Sequence, residues 1–287
     1  MRWRAFLLLT TMAVVLTGTT GCFLFGNKAG KLTPTPEHID RSELKPLPTK
    51  PERRYEITTR LIELPAGNDY LNRTLWATAH DPLPHQHSAI LAANGLRIGL
   101  MPDPAPPEFE RYVRSETHSL DARLRTTSAG TTKIIPLNAQ HESLTIDLVR
   151  QMTDQPGELT LTSAECAYTI TVVDDPDGRV LVRAAPQIQH GQKRRYWNAN
   201  EQGTDMQVED KRPTEEFPHM AWTLPLGPTD VLVIGPTEQP ARTLGEAGFF
   251  TPDGRHQRVL VLQVRAIRQA DTTTTSNSPG PVANLVK

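Results

Sequence analysis

Three groups of residues in this chain have types and spacings that could do chemistry. His80-Asp81-Pro-Leu-Pro-His85-Gln-His87 gathers three imidazoles and a carboxylate. A His-x-His pair can hold zinc or copper if the backbone is extended. Here two prolines interrupt the tract and it joins two expected helices, so the histidines read as solvent-facing loop residues. Asp174, Asp175 and Asp177 with Gly178 supply the oxygens of a calcium loop. Such a loop needs Gly at its sixth position and Glu at its twelfth, whereas Gly178 is fifth from Asp174. A plain hairpin turn is the reading taken. Lys193-Arg194-Arg195-Tyr196-Trp197 is the basic-aromatic cluster. It could grip a phosphate or anionic head group, or stack a base. Glu201, Asp205, Glu209 and Asp210 follow closely enough to neutralise it. The reading taken is a strand end with arginine stems lying over an aromatic. If any patch meets an envelope polymer or protein partner, Arg194, Arg195, Tyr196 and Trp197 are the candidates.

Catalytic patterns are missing. The chain has no G-x-S-x-G, Walker loop, G-x-G-x-x-G or H-E-x-x-H. Glu215 and Glu216 are neighbours in a Pro-rich loop, and nothing makes them converge on a sugar bond. Cys166 lies in the strand-like stretch Ala164–Tyr168 without a local base, which fits a buried, inert thiol. The expectation is a protein that is not an enzyme, with no cofactor and no metal site.

The elements that would carry these groups follow from pattern and composition. The chain has 287 residues and a formal net charge of -1, which excludes a strongly basic nucleic-acid binder. Mean hydropathy is -0.43. Proline is 25 of 287 residues, well above the roughly 5% norm, which argues against an all-helical fold. Tyr55–Leu64 alternates as a strand. Asn68 and Asp69 offer an N-cap to a helix carrying Leu71, Leu75 and Thr78. Pro84 starts a second helix, which Asn94-Gly95 ends. Leu96–Met101 is a strand, and Phe109, Tyr112 and Val113 have helical spacing. Beyond residue 129, apolar alternation recurs in short runs separated by turns. The most apolar of them, Val259–Ile267, is expected to be a central strand. The fold class expected is therefore α+β: a small α+β N-terminal half (53–128), then a β-rich half (129–268) built as a sandwich or partly open barrel. Residues 269–287, with four successive threonines, are expected to be a disordered tail.

The N-terminus speaks about location. Met1–Arg4 is cationic and Ala5–Leu16 is an uncharged run, too short to span a membrane but sized as a signal-peptide core. Small residues follow, then Gly21-Cys22. This tract resembles the lipobox of bacterial lipoproteins, with Thr19 where a Leu is usual. The resemblance implies cleavage after residue 21, acylation of Cys22 and export to the periplasmic side. Phe23, rather than Asp, after the cysteine points to the outer membrane. Cleavage would remove Arg2 and Arg4 and no acid, taking the charge from -1 to -3. Residues 22–52 are polar and Pro-rich and read as a tether.

Two wider resemblances exist. Tyr70–Ala77 and Ile90–Gly99 resemble segments of uncharacterised exported lipoproteins of planctomycete-type bacteria, which imply no known activity. The order Arg179–Ile188, Leu226–Gly235 (LGPTDVLVIG), Leu244–Phe250 (LGEAGFF) and Val259–Leu262 is similar to the end of the secretin channel core. It departs at Pro236, where a second Gly is usual, and in lacking a long membrane-hairpin region and ring-building domains. The resulting expectation is a lipid-anchored envelope protein that binds or scaffolds through sheet edges or the Arg194–Trp197 region, without nucleic acid. The alternative is a secretin-like component of a secretion or export assembly. A third is a hydrolase whose site forms only in three dimensions.

Overall fold

The computed structural model describes residues 53–153, 155–175, 179–199, 206–238 and 241–267. The expected signal peptide, Cys22, the tether and the tail lie outside them.

Period-two burial organises the chain from its first strand. In β1 (Arg54–Pro65), Tyr55, Ile57, Thr59 and Leu61 point to one side and are buried; Ile62 and Leu64 are buried on the other. A π-helical turn (Tyr70–Thr74) runs into α1 (Leu75–Thr78). Asn68 Oδ1 accepts from Tyr70 N at 3.0 Å and Leu71 N at 3.3 Å, which starts that turn. α2 (His85–Ala93) begins after Pro84 and ends at Asn94 and Gly95, whose φ of 75° is the left-handed conformation glycine adopts at low cost. Then come β2 (Leu96–Met101), α3 (Pro107–Arg114), β3 (Ser119–Ser128), β4 (Thr132–Leu148), β5 (Gly157–Asp174) and β6 (Val180–Gln189). β7 (Arg194–Ala199) and β8 (Met206–Lys211) follow, then β9 (Thr214–Glu216), a short 3-10 turn (Pro218–Met220) and β10 (Trp222–Leu226). β11 (Val231–Pro236), α4 (Leu244–Phe249) and β12 (His256–Ile267) complete the described chain.

The strands assemble into two antiparallel sheets and a separate hairpin. The first sheet has the order β2-β11-β12-β1-β3. The second has the order β10-β6-β5-β4, with β9 added beside β10 on the same edge of β6. One apolar cluster joins the facing surfaces of the two sheets: Ile57 and Leu61, Leu260 and Leu262, with Tyr168, Ile170 and Val182. The other surface of the first sheet is covered by the π turn, α1 and α3, through Leu71, Leu75 and Phe109 on Ile62, Val259 and Val261. Each fully buried aliphatic side chain contributes about 1.5–3 kcal/mol. A first sheet buried on both faces explains why β12 reads as a continuous apolar run, and β12 is its central strand.

The expected α+β class is corrected by this arrangement. The described residues are 55% strand and 18% helix, so the protein is mostly β, without a helical N-terminal half. The expected N-terminal elements do form, but the helices are short and lie on a sheet. β1 is flanked by β12, from the far end of the chain, and by β3, an edge strand without clean alternation. Strand pairing between distant segments, not local helix content, sets the class. The chain crosses from the first sheet to the second at residues 129–131, beside the boundary drawn at 128, yet strands from both sides of it share the first sheet.

Candidate functional site

The basic-aromatic cluster forms one arm of the β7–β8 hairpin. Its register pairs Arg194 with Lys211, Arg195 with Asp210, Tyr196 with Glu209 and Trp197 with Val208. Among the described strands, these two pair only with each other. Directly opposed residues share a face, so Trp197, Val208 and Met206 lie together and Tyr196 lies on the reverse. All four side chains are exposed, Trp197 at 64%, Met206 at 55% and Val208 at 48%. Arg195 Nε lies 3.4 Å from Asp210 Oδ1 across the strands. Both partners are well exposed, so this pair contributes at most about 1 kcal/mol and leaves the cation accessible. Arg212, just past β8, ties the hairpin base down: it donates to Gly191 O at 3.1 Å and pairs with Glu165 Oε2 at 3.2 Å.

Met206 and Val208 are the site residues that sequence reasoning missed. Their signal was present: an alternating Met-x-Val run a few residues after Tyr196-Trp197 in the sequence. An exposed apolar face on a two-stranded arm is a patch of the kind that marks contact surfaces.

The other sequence candidates are dispersed into structural tasks. His80 bridges to Leu100 by backbone hydrogen bonds, while His85 and His87 occupy the first turn of α2. Among the described residues, no group of three His, Cys, Asp or Glu side chains could hold a metal ion. Asp174 accepts from the Tyr55 hydroxyl and lies 3.7 Å from Arg53; Asp175 accepts from Arg179 at 3.2 Å. Residues 176–178, including Asp177 and Gly178, lie outside the described set. Glu215 sits 3.6 Å from His190, and Glu216 is its strand neighbour in β9. Cys166 is buried at 1% exposure, and that burial pushes its thiol up to about 12. It cannot act as a thiolate nucleophile near neutral pH.

No family model matches this chain, and no curated protein matches it. Among solved structures it is weakly similar to the InvG secretin domain β-barrel from the Salmonella SPI-1 injectisome NC-base. The similarity has a TM-score of 0.20 and 11% identity, and covers 79% of this chain. The chain spans 66% of that structure's length, just under two thirds.

Proposed function

We propose that this protein is a lipid-anchored, exported envelope protein that binds or scaffolds a protein partner and performs no catalysis of its own. The β7–β8 hairpin is its contact surface. The observation that carries this reading is the exposure of Tyr196, Trp197, Met206 and Val208 on one two-stranded arm. Aromatic and Met side chains beside arginine are the composition enriched in protein interfaces. The n-region, apolar core and Gly21-Cys22 support the anchor.

The test compares wild type with Arg194→Glu/Arg195→Glu and with Trp197→Ser, each read twice. Exposed changes usually move stability by no more than about 0.5 kcal/mol, so thermal midpoints should stay near wild type. Co-purification of the partner from solubilised envelopes should fall, because bidentate guanidinium contacts turn repulsive and the aromatic anchor is lost. An unchanged partner profile in both variants would place the contact elsewhere. A large drop in midpoint would make the hairpin a structural element.

A further inference from the structure

We propose a second, separate site on the outer face of the second sheet, which takes a short zwitterionic peptide. The alternation of β6 puts Arg183, Ala185 and Gln187 on one face, opposite Thr171, Thr169 and Ala167 of β5. Ala185 is small, so the middle of this row is low. On the other edge of β6, β10 stops pairing at Trp222 with Ala184, and β9 begins at Glu216 with Gln187. The chain between them leaves the sheet as the 3-10 turn, and Phe217, Pro218 and Ala221 wall the gap. The result is a cleft of about 260 Å³. That is just below the roughly 300–1,000 Å³ of drug-sized ligand sites, so it suits a small molecule.

Its polar groups divide into satisfied and unsatisfied. The Thr132 and Thr171 hydroxyls bond each other at 2.7 Å, and Thr169 Oγ1 donates to Ala185 O at 3.1 Å. By contrast, the side chains of Arg183 and Glu216 form no hydrogen bond or ion pair among the described residues. Gln187 is 3% exposed, and its Nε2 is buried without a partner. A buried donor without an acceptor is unfavourable, and a ligand oxygen relieves it. The cleft therefore has a free cation at one end and a free carboxylate and an unmet amide donor at the other.

The spacing selects the ligand. Arg183 and Gln187 are four residues apart, about 13 Å at roughly 3.3 Å per residue, and Glu216 stands opposite Gln187. In the proposed complex the Arg183 and Glu216 side chains reach inward over the low Ala185 row to meet the two termini of a dipeptide. The peptide carboxylate meets Arg183, its ammonium meets Glu216, and its carbonyl accepts from Gln187 Nε2 once that side chain turns out of the position in which its Nε2 is closed to solvent. A neutral polyol would leave both charges unmatched, and a simple anion would leave Glu216 unmatched.

Titration calorimetry on the full chain tests this with glycylglycine, N-acetylglycylglycine and glycylglycinamide. Glycylglycine should bind at a roughly millimolar dissociation constant, and each blocked form about tenfold or more weaker. In Arg183→Gln the preference over glycylglycinamide should vanish while that over the acetylated form persists. Glu216→Gln should do the reverse. Gln187→Met should weaken glycylglycine and raise the thermal midpoint of the free protein, because the unmet donor is gone. Absence of saturable heat up to roughly 0.1 M peptide would overturn the proposal, as would equal binding of the three probes. Discrimination that survives Arg183→Gln and Glu216→Gln would also overturn it. A Gln187→Met midpoint below wild type would assign Gln187 to the fold and overturn it equally.

Discussion

Gly245→Ala separates propensity from packing by the sign of its effect. Gly245 lies inside α4, and helix propensity alone favours alanine there by about 1 kcal/mol. The structure demands the opposite. A Cβ at Gly245 would stand 1.8 Å from Gly95 O and 2.4 Å from Gly95 C, which are backbone atoms. That backbone is held from several sides. Gly95 has φ 75°, its carbonyl accepts from Thr237 N at 2.8 Å, and Gly245 N donates to Asn94 O at 3.0 Å. Asn94 is itself fully buried, with its side chain bonded to Ile90 O at 2.9 Å and to Val149 O at 2.8 Å and N at 3.0 Å. Overpacking costs about 1–3 kcal/mol, and forcing α4 and the Gly95 peptide apart gives up the Gly245–Asn94 and Thr237–Gly95 backbone hydrogen bonds at about 1 kcal/mol each. The expected loss is about 3–5 kcal/mol, or roughly 6–20 °C in thermal midpoint for a domain of this size. The assay is thermal unfolding by circular dichroism, with Gly157→Ala as control. Its nearest foreign atom is Leu148 O at 3.9 Å, so that substitution should be neutral or raise stability by up to about 1 kcal/mol. A Gly245→Ala midpoint at or above wild type would refute the packing argument, and so would an equal drop in the control.

Two further outcomes are expected. Cys22→Ala should move the protein from detergent-extractable membranes to the soluble exported fraction or stall its processing, because acyl chains contribute about 0.8 kcal/mol per buried methylene; wild type found wholly soluble, with its N-terminus elsewhere, would refute the anchor. Burial raises the Cys166 thiol from its ordinary 9.0 to about 12, so its contribution to stability is complete below pH 9 and is lost as pH rises toward 12. Between pH 9 and 10, below the ordinary tyrosine range, Cys166→Ala should flatten that decline in denaturant titrations, and native wild type should resist alkylation until unfolded; rapid native labelling would refute the burial.

Much of the fold was legible wherever burial imposed a period. Tyr55–Leu64, Leu96–Met101 and Val259–Ile267 became β1, β2 and β12, and Asn68, Pro84 and Gly95 stand where capping chemistry places them. The class was misjudged because a period reports that a segment has two faces, not which distant segment it pairs with. β1 alternates equally well as the strand of a small local unit and as the partner of β12, nearly two hundred residues away. β3 was missed for a related reason. As an edge strand its burial runs exposed through Ala122–Leu124, so no alternation marks it, and arginines at 123 and 125 make it look like a loop. Those charges are what an unpaired edge carries to discourage pairing with another chain.

The two proposed sites differ in legibility for a physical reason. The hairpin's chemistry is contiguous, with cations and rings side by side in the chain, so composition alone drew attention to it; its apolar face needed the register that sets Val208 against Trp197. The cleft has no such local mark. Arg183 and Gln187 are four residues apart on one strand, and Glu216 comes nearly thirty residues later. Each is an ordinary strand residue in sequence, and Glu216 had been set aside as half of a loop pair. What distinguishes them is that the ladder on β6 breaks between β9 and β10 and that, among the described residues, the Arg183 and Glu216 side chains and Gln187 Nε2 have no partner. A missing partner is a property of three-dimensional surroundings. Since most buried polar groups are satisfied, an unsatisfied one beside unpaired charges is more informative than any residue type alone.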